Sequence, residues 1–182
     1  MITHFKPFLL TDLSRLQEIY NLRVVAWESS AVNKIVTKEL FPNGWSDEQD
    51  IMGLHWIITK ENHIIASARL NIINSIKELE DGYAFEKFDV PNTAPIAFYS
   101  RLVIHPNYRK LGLSSLLDIV RLKYIKRNNI NYAIASCHDE RLKSLTNLGF
   151  TKLGKTKLYY NKKSSDEQTA LIIYTKDIKY KL

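Results

Sequence analysis

Between Ile96 and Arg127 the sequence changes character twice within a few residues, and this limits the folds open to it. Ile96 to His105 is an almost unbroken apolar run, the pattern of a buried strand. Pro106 ends it, because proline has no amide to donate to a sheet ladder. A short basic loop follows, Asn107 to Leu111. From about Gly112 to Arg127 the spacing is helical: Leu113, Leu116, Leu117, Val120 and Tyr124 share one face, with Asp118, Arg121 and Lys123 expected to point elsewhere. Asn131 to His138 is again strand-like. Asp139 can cap a further helix carrying Leu142, Leu145 and Leu148, and Gly149 is placed to end it in the left-handed conformation.

The remaining segments fit around this succession. Ile2 to Phe8 predicts a short first strand, and Thr11 can cap a helix with Leu13, Leu16, Tyr20, Val24 and Trp27 at helical spacing. Glu28 to Met52 is irregular, with a turn at Pro42-Asn43-Gly44. Gly53 to Thr59 and His63 to Ile72 read as a hairpin across Lys60-Glu61-Asn62. Residues 73–95 are mixed. Lys152 to Tyr160 and Gln168 to Tyr174 predict a last hairpin across the polar stretch Asn161 to Glu167. The expected architecture is α/β (α+β), a mixed sheet with helices packed on it.

A chain of 182 residues predicts one domain, residues 1–182, large enough to bury a core without disulfides or metals. No run approaches the roughly 18 apolar residues of a membrane span, and Met1 to Leu10 lacks the pattern of a signal peptide. Cys137 is the only cysteine, which excludes an internal disulfide and any cysteine-based metal spacing. A soluble, cytoplasmic protein with no metal is expected. The charge is uneven. Residues 1–91 hold 9 Lys and Arg against 13 Asp and Glu, net −4, while residues 92–182 hold 17 against 6, net +11. That asymmetry points to an anionic partner for the second half, the alternative being a solvated lysine-rich surface.

The segment Ser100 to Ser115 carries the chemistry. The first amides of a helix have no intrahelical acceptors, and the helix dipole adds partial positive charge there, which makes a ready anion site. Gly112 lets a ligand approach the backbone, Ser114 is small and can donate a hydroxyl, and Arg109 and Lys110 are expected to add full charges at the rim. The expected ligand is a diphosphate. Arg109-x-x-Gly112-x-Ser114 alone is a weak pattern. With the apolar strand and Pro106 before it, and the amphipathic helix, strand, helix and Gly149-Phe150 after it, the arrangement resembles the GNAT superfamily of N-acetyltransferases. Leu22-Arg23 and Ala66-Ser67-Ala68-Arg69-Leu70 are less specific members of the resemblance, which covers most of the chain.

The resemblance implies a mostly antiparallel central sheet of about seven strands, helices on both faces and a splayed parallel strand pair. It implies acetyl-CoA as acyl donor, with Arg109, Lys110, Leu111, Gly112, Leu113, Ser114 and Ser115 supplying backbone amides to its pyrophosphate. Leu102, Val103 and Ile104 would pair with the pantetheine as a neighbouring strand would, and an amide of Leu102 or Val103 would polarise the thioester carbonyl. Ser114 stands where Gly or Ala is usual. Where many relatives place a tyrosine that protonates the leaving thiolate, this chain has Leu145, so the general acid is unassigned.

A base is wanted, because an alkylamine with a pKa near about 10.4 is mostly protonated at neutral pH. His138, Ser100, Tyr99 and Glu28 are the candidates, and His138 has the most suitable ordinary pKa. Cys137 reads as a small core residue rather than a nucleophile. Asp47, Glu48 and Asp50 form an acidic group able to attract a cationic amine, and Trp27, Phe41 and Trp45 either wall a pocket or pack under the long loop. Arg101 interrupts an apolar run and therefore needs a partner, either an acceptor carboxylate or an internal acid.

The leading expectation is direct acetyl transfer from acetyl-CoA to a primary amine, on a small molecule or a protein, with both substrates bound together. Ser100-Arg101 also resembles acyltransferases that make acyl-homoserine lactones or N-acyl amino acids, often from acyl carrier protein. A non-catalytic regulator binding nucleic acid through Arg121, Lys123, Lys126, Arg127, Lys152, Lys155 and Lys157 is the third reading, with no recognised nucleic-acid motif behind it. Acceptor identity, acyl length and oligomeric state are not written in the sequence.

Overall fold

Apolar runs bounded by proline, glycine and polar turns become the strands of a seven-stranded sheet in the computed structural model, which describes residues 5–30, 35–91, 93–161 and 164–179. The strands are β1 (Phe8–Leu9), β2 (Leu54–Lys60), β3 (His63–Ile73), β4 (Ile96–Ile104), β5 (Tyr132–Cys137), β6 (Thr151–Asn161) and β7 (Ser164–Tyr174). They run in the order β1-β2-β3-β4-β5-β7-β6. The β4–β5 pair is parallel, while β1–β2, β5–β7 and β6–β7 are antiparallel. The helices are α1 (Leu16–Glu28), α2 (Leu113–Arg127) and α3 (Asp139–Asn147). None of the described helices is long and apolar enough to cross a membrane.

The chain divides into two compact units, Met1–Arg69 with Arg101–Arg121, and Leu70–Ser100 with Leu122–Leu182. In the first, Leu16, Ile19, Leu22 and Ala26 of α1 pack with Leu10, Ile57, Ile64 and Val103. In the second, Phe85, Ile96, Phe98, Tyr132, Ile134, Leu158, Ala170 and Ile172 belong to one buried cluster. The β2–β3 turn contains Glu61 and Asn62 at φ +50° and +67°, the double left-handed geometry that suits the right-handed twist of a two-residue hairpin.

Several elements differ from the sequence expectation. The first strand is only Phe8–Leu9, and Met1 to His4 lie outside the described residues. Asp12, not Thr11, caps the first helical turn, its carboxylate accepting from the Ser14 amide at 3.0 Å; the turn Leu13–Arg15 is 3-10, which leaves Leu13 exposed. His138, not Asp139, is the residue that precedes α3. The last hairpin is longer than expected, because Ser164 to Glu167 belong to β7 rather than to a turn; residues 162 and 163 are outside the described residues.

The largest difference is on α2. Asp118 and Arg121 are buried with Leu113, Leu117, Leu122 and Ile125. Arg121 Nη2 donates to Asp118 at 2.7 Å, its Nε to the Leu117 carbonyl at 3.2 Å and its Nη1 to the Arg69 carbonyl at 3.1 Å. Two opposite charges three residues apart neutralise each other on one helix face, so a periodicity argument that sends every charge outward misplaces them. Arg121 is therefore structural, and the nucleic-acid reading loses one of its cations.

Candidate functional site

The turn after β4 is built from local rules. His105 holds an extended conformation, and its Nδ1 accepts from the Asn107 amide at 3.3 Å, which starts the 3-10 turn Pro106–Tyr108. Its ring sits edge-on to Tyr108 at 5.7 Å. The Tyr108 and Arg109 amides are taken by the carbonyls of His105 and Pro106. Lys110 at φ +63° and Gly112 at φ +75° then reverse the chain so that α2 begins at Leu113. Leu113 is buried and anchors the helix start, Ser114 is half-buried, and Leu111, Gly112 and Ser115 are exposed.

Among the described residues none accepts from the amides of Lys110 to Ser115, and the first turn of α2 carries no acid. A Cβ built on Gly112 would meet nothing within 4 Å. Exposed donors around an open space at the positive end of a helix fit a diphosphate.

Arg109 departs from expectation. Its guanidinium donates to the Ala26 carbonyl at 2.5 Å and to the Ser29 hydroxyl at 3.0 Å. It closes the C-terminus of α1, where exposed carbonyls and the dipole favour a cation. With its amide also engaged, Arg109 fixes the loop to α1, and the available donors begin at Lys110.

Along β4, Val103 is buried in the α1 cluster while Leu102 and Ile104 are half-buried. The His105 amide bonds the Ile65 carbonyl at 2.9 Å and holds the strand end on β3. The parallel ladder runs from Ile96↔Tyr132 to Tyr99↔Ala135, whereas β4 continues to Ile104 and β5 to Cys137. Just past the last paired residue, Arg101 has φ +51°. A non-glycine residue in that region costs about 1–2 kcal/mol, so its side chain must be held.

It is held by a cluster no local pattern announced. Arg101 stacks over Trp45 at 4.3 Å and donates Nε and Nη2 to Asp47 Oδ2 at 2.9 and 2.6 Å. Arg69 bridges Asp47 and Asp50, and Arg23 grips Asp50 with two parallel bonds of 2.6 and 2.7 Å. The Asp50 side chain in turn accepts from the Asp47 amide at 2.9 Å. Gly53 makes room, since a Cβ there would stand 2.7 Å from the Arg69 side chain. The internal acid, Asp47, is thus the partner Arg101 required. Asp47 and Asp50 are neutralised by three arginines rather than offered to an amine. Trp45 packs with Trp27 (5.5 Å, edge-on) and Phe41 (6.1 Å) beneath the long loop.

Burial alone would raise the Asp50 carboxyl, but the Arg23 hydrogen bonds and charge, with Arg69, outweigh it and hold the group well below the ordinary carboxylate range. Asp47 is likewise lowered, because Arg101 and Arg69 overcome its burial. His55, fully buried, donates Nε2 to the Asp50 carbonyl at 2.9 Å, while its Nδ1 has no partner. Burial pushes its imidazole below the usual histidine value.

The signs agree. The unfolded chain takes up a proton near pH 6.5 at His55 that the folded chain resists, so stability declines as pH falls below about 6.5. The contribution of Asp47 and Asp50 is complete above about pH 4 and is lost as pH falls through their lowered folded values. Urea titrations from neutral pH into acid are expected to show this two-stage decline, and His55→Gln, which keeps a donor for the carbonyl, to remove the upper stage. A variant as sensitive as the parent in the upper stage contradicts the assignment.

In the second unit, His138 is one-fifth exposed, with Nε2 3.0 Å from Asp166 Oδ2. Tyr99 is buried edge-on to Phe150 at 5.4 Å, and Cys137 is buried opposite Thr169. Ser100 is half-buried and hydrogen-bonded or otherwise engaged. In the first unit, the Glu28 carboxylate accepts from the Lys38 amide at 3.3 Å. Leu145, in the position without the tyrosine, is buried.

No family model matches the sequence, and no curated protein matches it. Solved structures do. The N-acyl amino acid synthase FeeM from uncultured soil microbes superposes with a TM-score of 0.67 at 12% identity, covering 96% of this chain and 92% of that one. The CoA-dependent acyl-homoserine lactone synthase BjaI, solved with SAM and isopentyl-CoA, gives 0.67 at 15% identity over 94% and 83%. An acetyltransferase of the GNAT family from Staphylococcus aureus gives 0.61 at 13% identity over 94% and 99%.

Proposed function

We propose that this chain, which has the GNAT fold, is an acyltransferase that moves an acyl group from a coenzyme A thioester to a primary amine by direct attack in a ternary complex. The observation that carries the reading is the cradle at Lys110 to Ser115, with unclaimed amides facing open space at Gly112. In this reading those amides take the diphosphate. Leu102 to Ile104 line the pantetheine, which lies along the strand as a neighbouring strand would, and the amide of Leu102 or Val103 polarises the thioester carbonyl. The amine nitrogen forms the new bond to the carbonyl carbon, the carbon–sulfur bond breaks, and the proton from nitrogen passes to His138. A thiol is acidic enough, near 8.5 for a cysteine-like sulfur, to leave as thiolate without a dedicated acid.

Acetyl transfer to a small-molecule or protein amine is the first form of the reaction. A longer acyl chain is the second, and it is supported by the superpositions of FeeM, an N-acyl amino acid synthase, and of BjaI, solved with isopentyl-CoA. Turnover with acetyl-, hexanoyl- and dodecanoyl-CoA against a panel of amines and amino acids tests both forms. His138→Ala is expected to lower kcat by about 10²–10⁴-fold, the usual worth of a positioned base. Unchanged kcat with every productive pair would remove His138 from the mechanism.

A further inference from the structure

We propose that Asp166 is a positioning residue for His138, fixing the ring so that Nδ1 is its basic nitrogen; this rests on His138 being the proton acceptor. His138 is the single residue between β5 and α3, at φ −68° and ψ 158°. The antiparallel β5–β7 register sets Cys137 opposite Thr169, which brings the preceding part of β7 alongside His138. Asp166 and Gln168 are two residues apart on β7 and so share a face. Oδ2 of Asp166 stands 3.0 Å from His138 Nε2 and accepts from Gln168 Nε2 at 3.2 Å, and the Gln168 nitrogen lies 3.4 Å from the same ring nitrogen.

The Asp166 oxygen, nearer to Nε2 at 3.0 Å and able only to accept, favours the proton on that nitrogen, while the Gln168 amide at 3.4 Å directs a proton to the same carboxylate. The opposite nitrogen then carries the lone pair. Gln168 is buried and Asp166 mostly so, which holds the carboxylate in place, while the ring keeps one-fifth of its surface open. Asp139, the next acid along, is drawn away by Lys155 of β6 at 2.9 Å, and Glu167 faces the same lysine at 3.6 Å. Asp166 thus places a carboxylate directly against this imidazole. A histidine whose orienting carboxylate is replaced by an amide can adopt the wrong tautomer, with a large loss of turnover.

The test combines Asp166→Asn, Asp166→Glu and His138→Ala in the full chain, using the thioester and amine that turn over. Nitrogen-15 spectra of the His138 ring are expected to show a protonated Nε2 in the parent protein and a shift toward protonated Nδ1 in Asp166→Asn. The same variant should lose about 10–100-fold in kcat with KM for the thioester within twofold, and Asp166→Glu should recover part of the loss. Coenzyme A affinity should not change. An unmoved tautomer or an unaltered kcat in Asp166→Asn overturns the positioning role. If His138→Ala turns over normally, the proton-acceptor reading fails, and the positioning role falls with it even where the tautomer moves.

Discussion

Asp50→Ala is expected to destabilise the protein by about 3–5 kcal/mol, the cost of removing one partner from a buried ion pair. Asp50 is fully buried, receives two bonds from Arg23 and one from Arg69, and closes the turn that presents Asp47 to Arg101. Without it the Arg23 guanidinium, buried against the Trp45 carbonyl, has no counter-charge. Against a total stability of about 5–15 kcal/mol the loss is large. It corresponds to a melting temperature lower by roughly 6–20 °C for a chain of this length. Glu48, exposed two residues away, is the control, and its alanine variant should change stability by less than about 0.5 kcal/mol. Chemical denaturation of the two variants separates the outcomes, and equal stabilities would mean that the arginines find other partners.

Gly112→Glu is expected to abolish coenzyme A binding in a folded protein. The backbone there is left-handed at φ +75°, so any side chain costs about 1–2 kcal/mol, which the fold can absorb. The space beyond Cβ is open, so nothing in the protein is displaced. A carboxylate in that space would face the diphosphate at close range, where each like-charge pair costs about 1–4 kcal/mol between water-like and surface-like dielectrics. Two such repulsions, about 2–8 kcal/mol together, put the loss at about 30-fold or more. Gly112→Ala has the same backbone strain without the charge and should lose far less. Calorimetric titration of both, with melting curves to establish folding, distinguishes charge from strain. Comparable affinity in the glutamate variant and the parent would remove the diphosphate from this loop.

How far the sequence reached depends on the range of the interactions. The strand–turn–helix from Ile96 to Arg127 was legible because Pro106, Gly112 and the leucine spacing act within a few residues of themselves. The Arg23–Asp50–Arg69–Asp47–Arg101 cluster was not, since its members come from α1, the long loop, β3 and β4. The available signal was arginine inside apolar segments at positions 23, 69 and 101, a charge that burial tolerates only with a partner. The sequence pointed to that need at Arg101 without identifying which acid meets it. The motif places Arg109 at the ligand, but the carbonyls that end α1, a partial negative charge that only the folded chain brings near, take its guanidinium instead. Asp166 has no local sequence signal, because the polar stretch Asn161 to Glu167 predicts a turn where a strand continues.

Amide spectra of nitrogen-15-labelled protein titrated with coenzyme A test the cradle most directly. The amides of Lys110 to Ser115 should show the largest shifts, with those of Tyr108 and Arg109, already bonded to His105 and Pro106, moving less. Pantetheine, which lacks the diphosphate, should leave the set unmoved. Coenzyme A that binds without perturbing these residues, or that does not bind at all, would contradict the assignment.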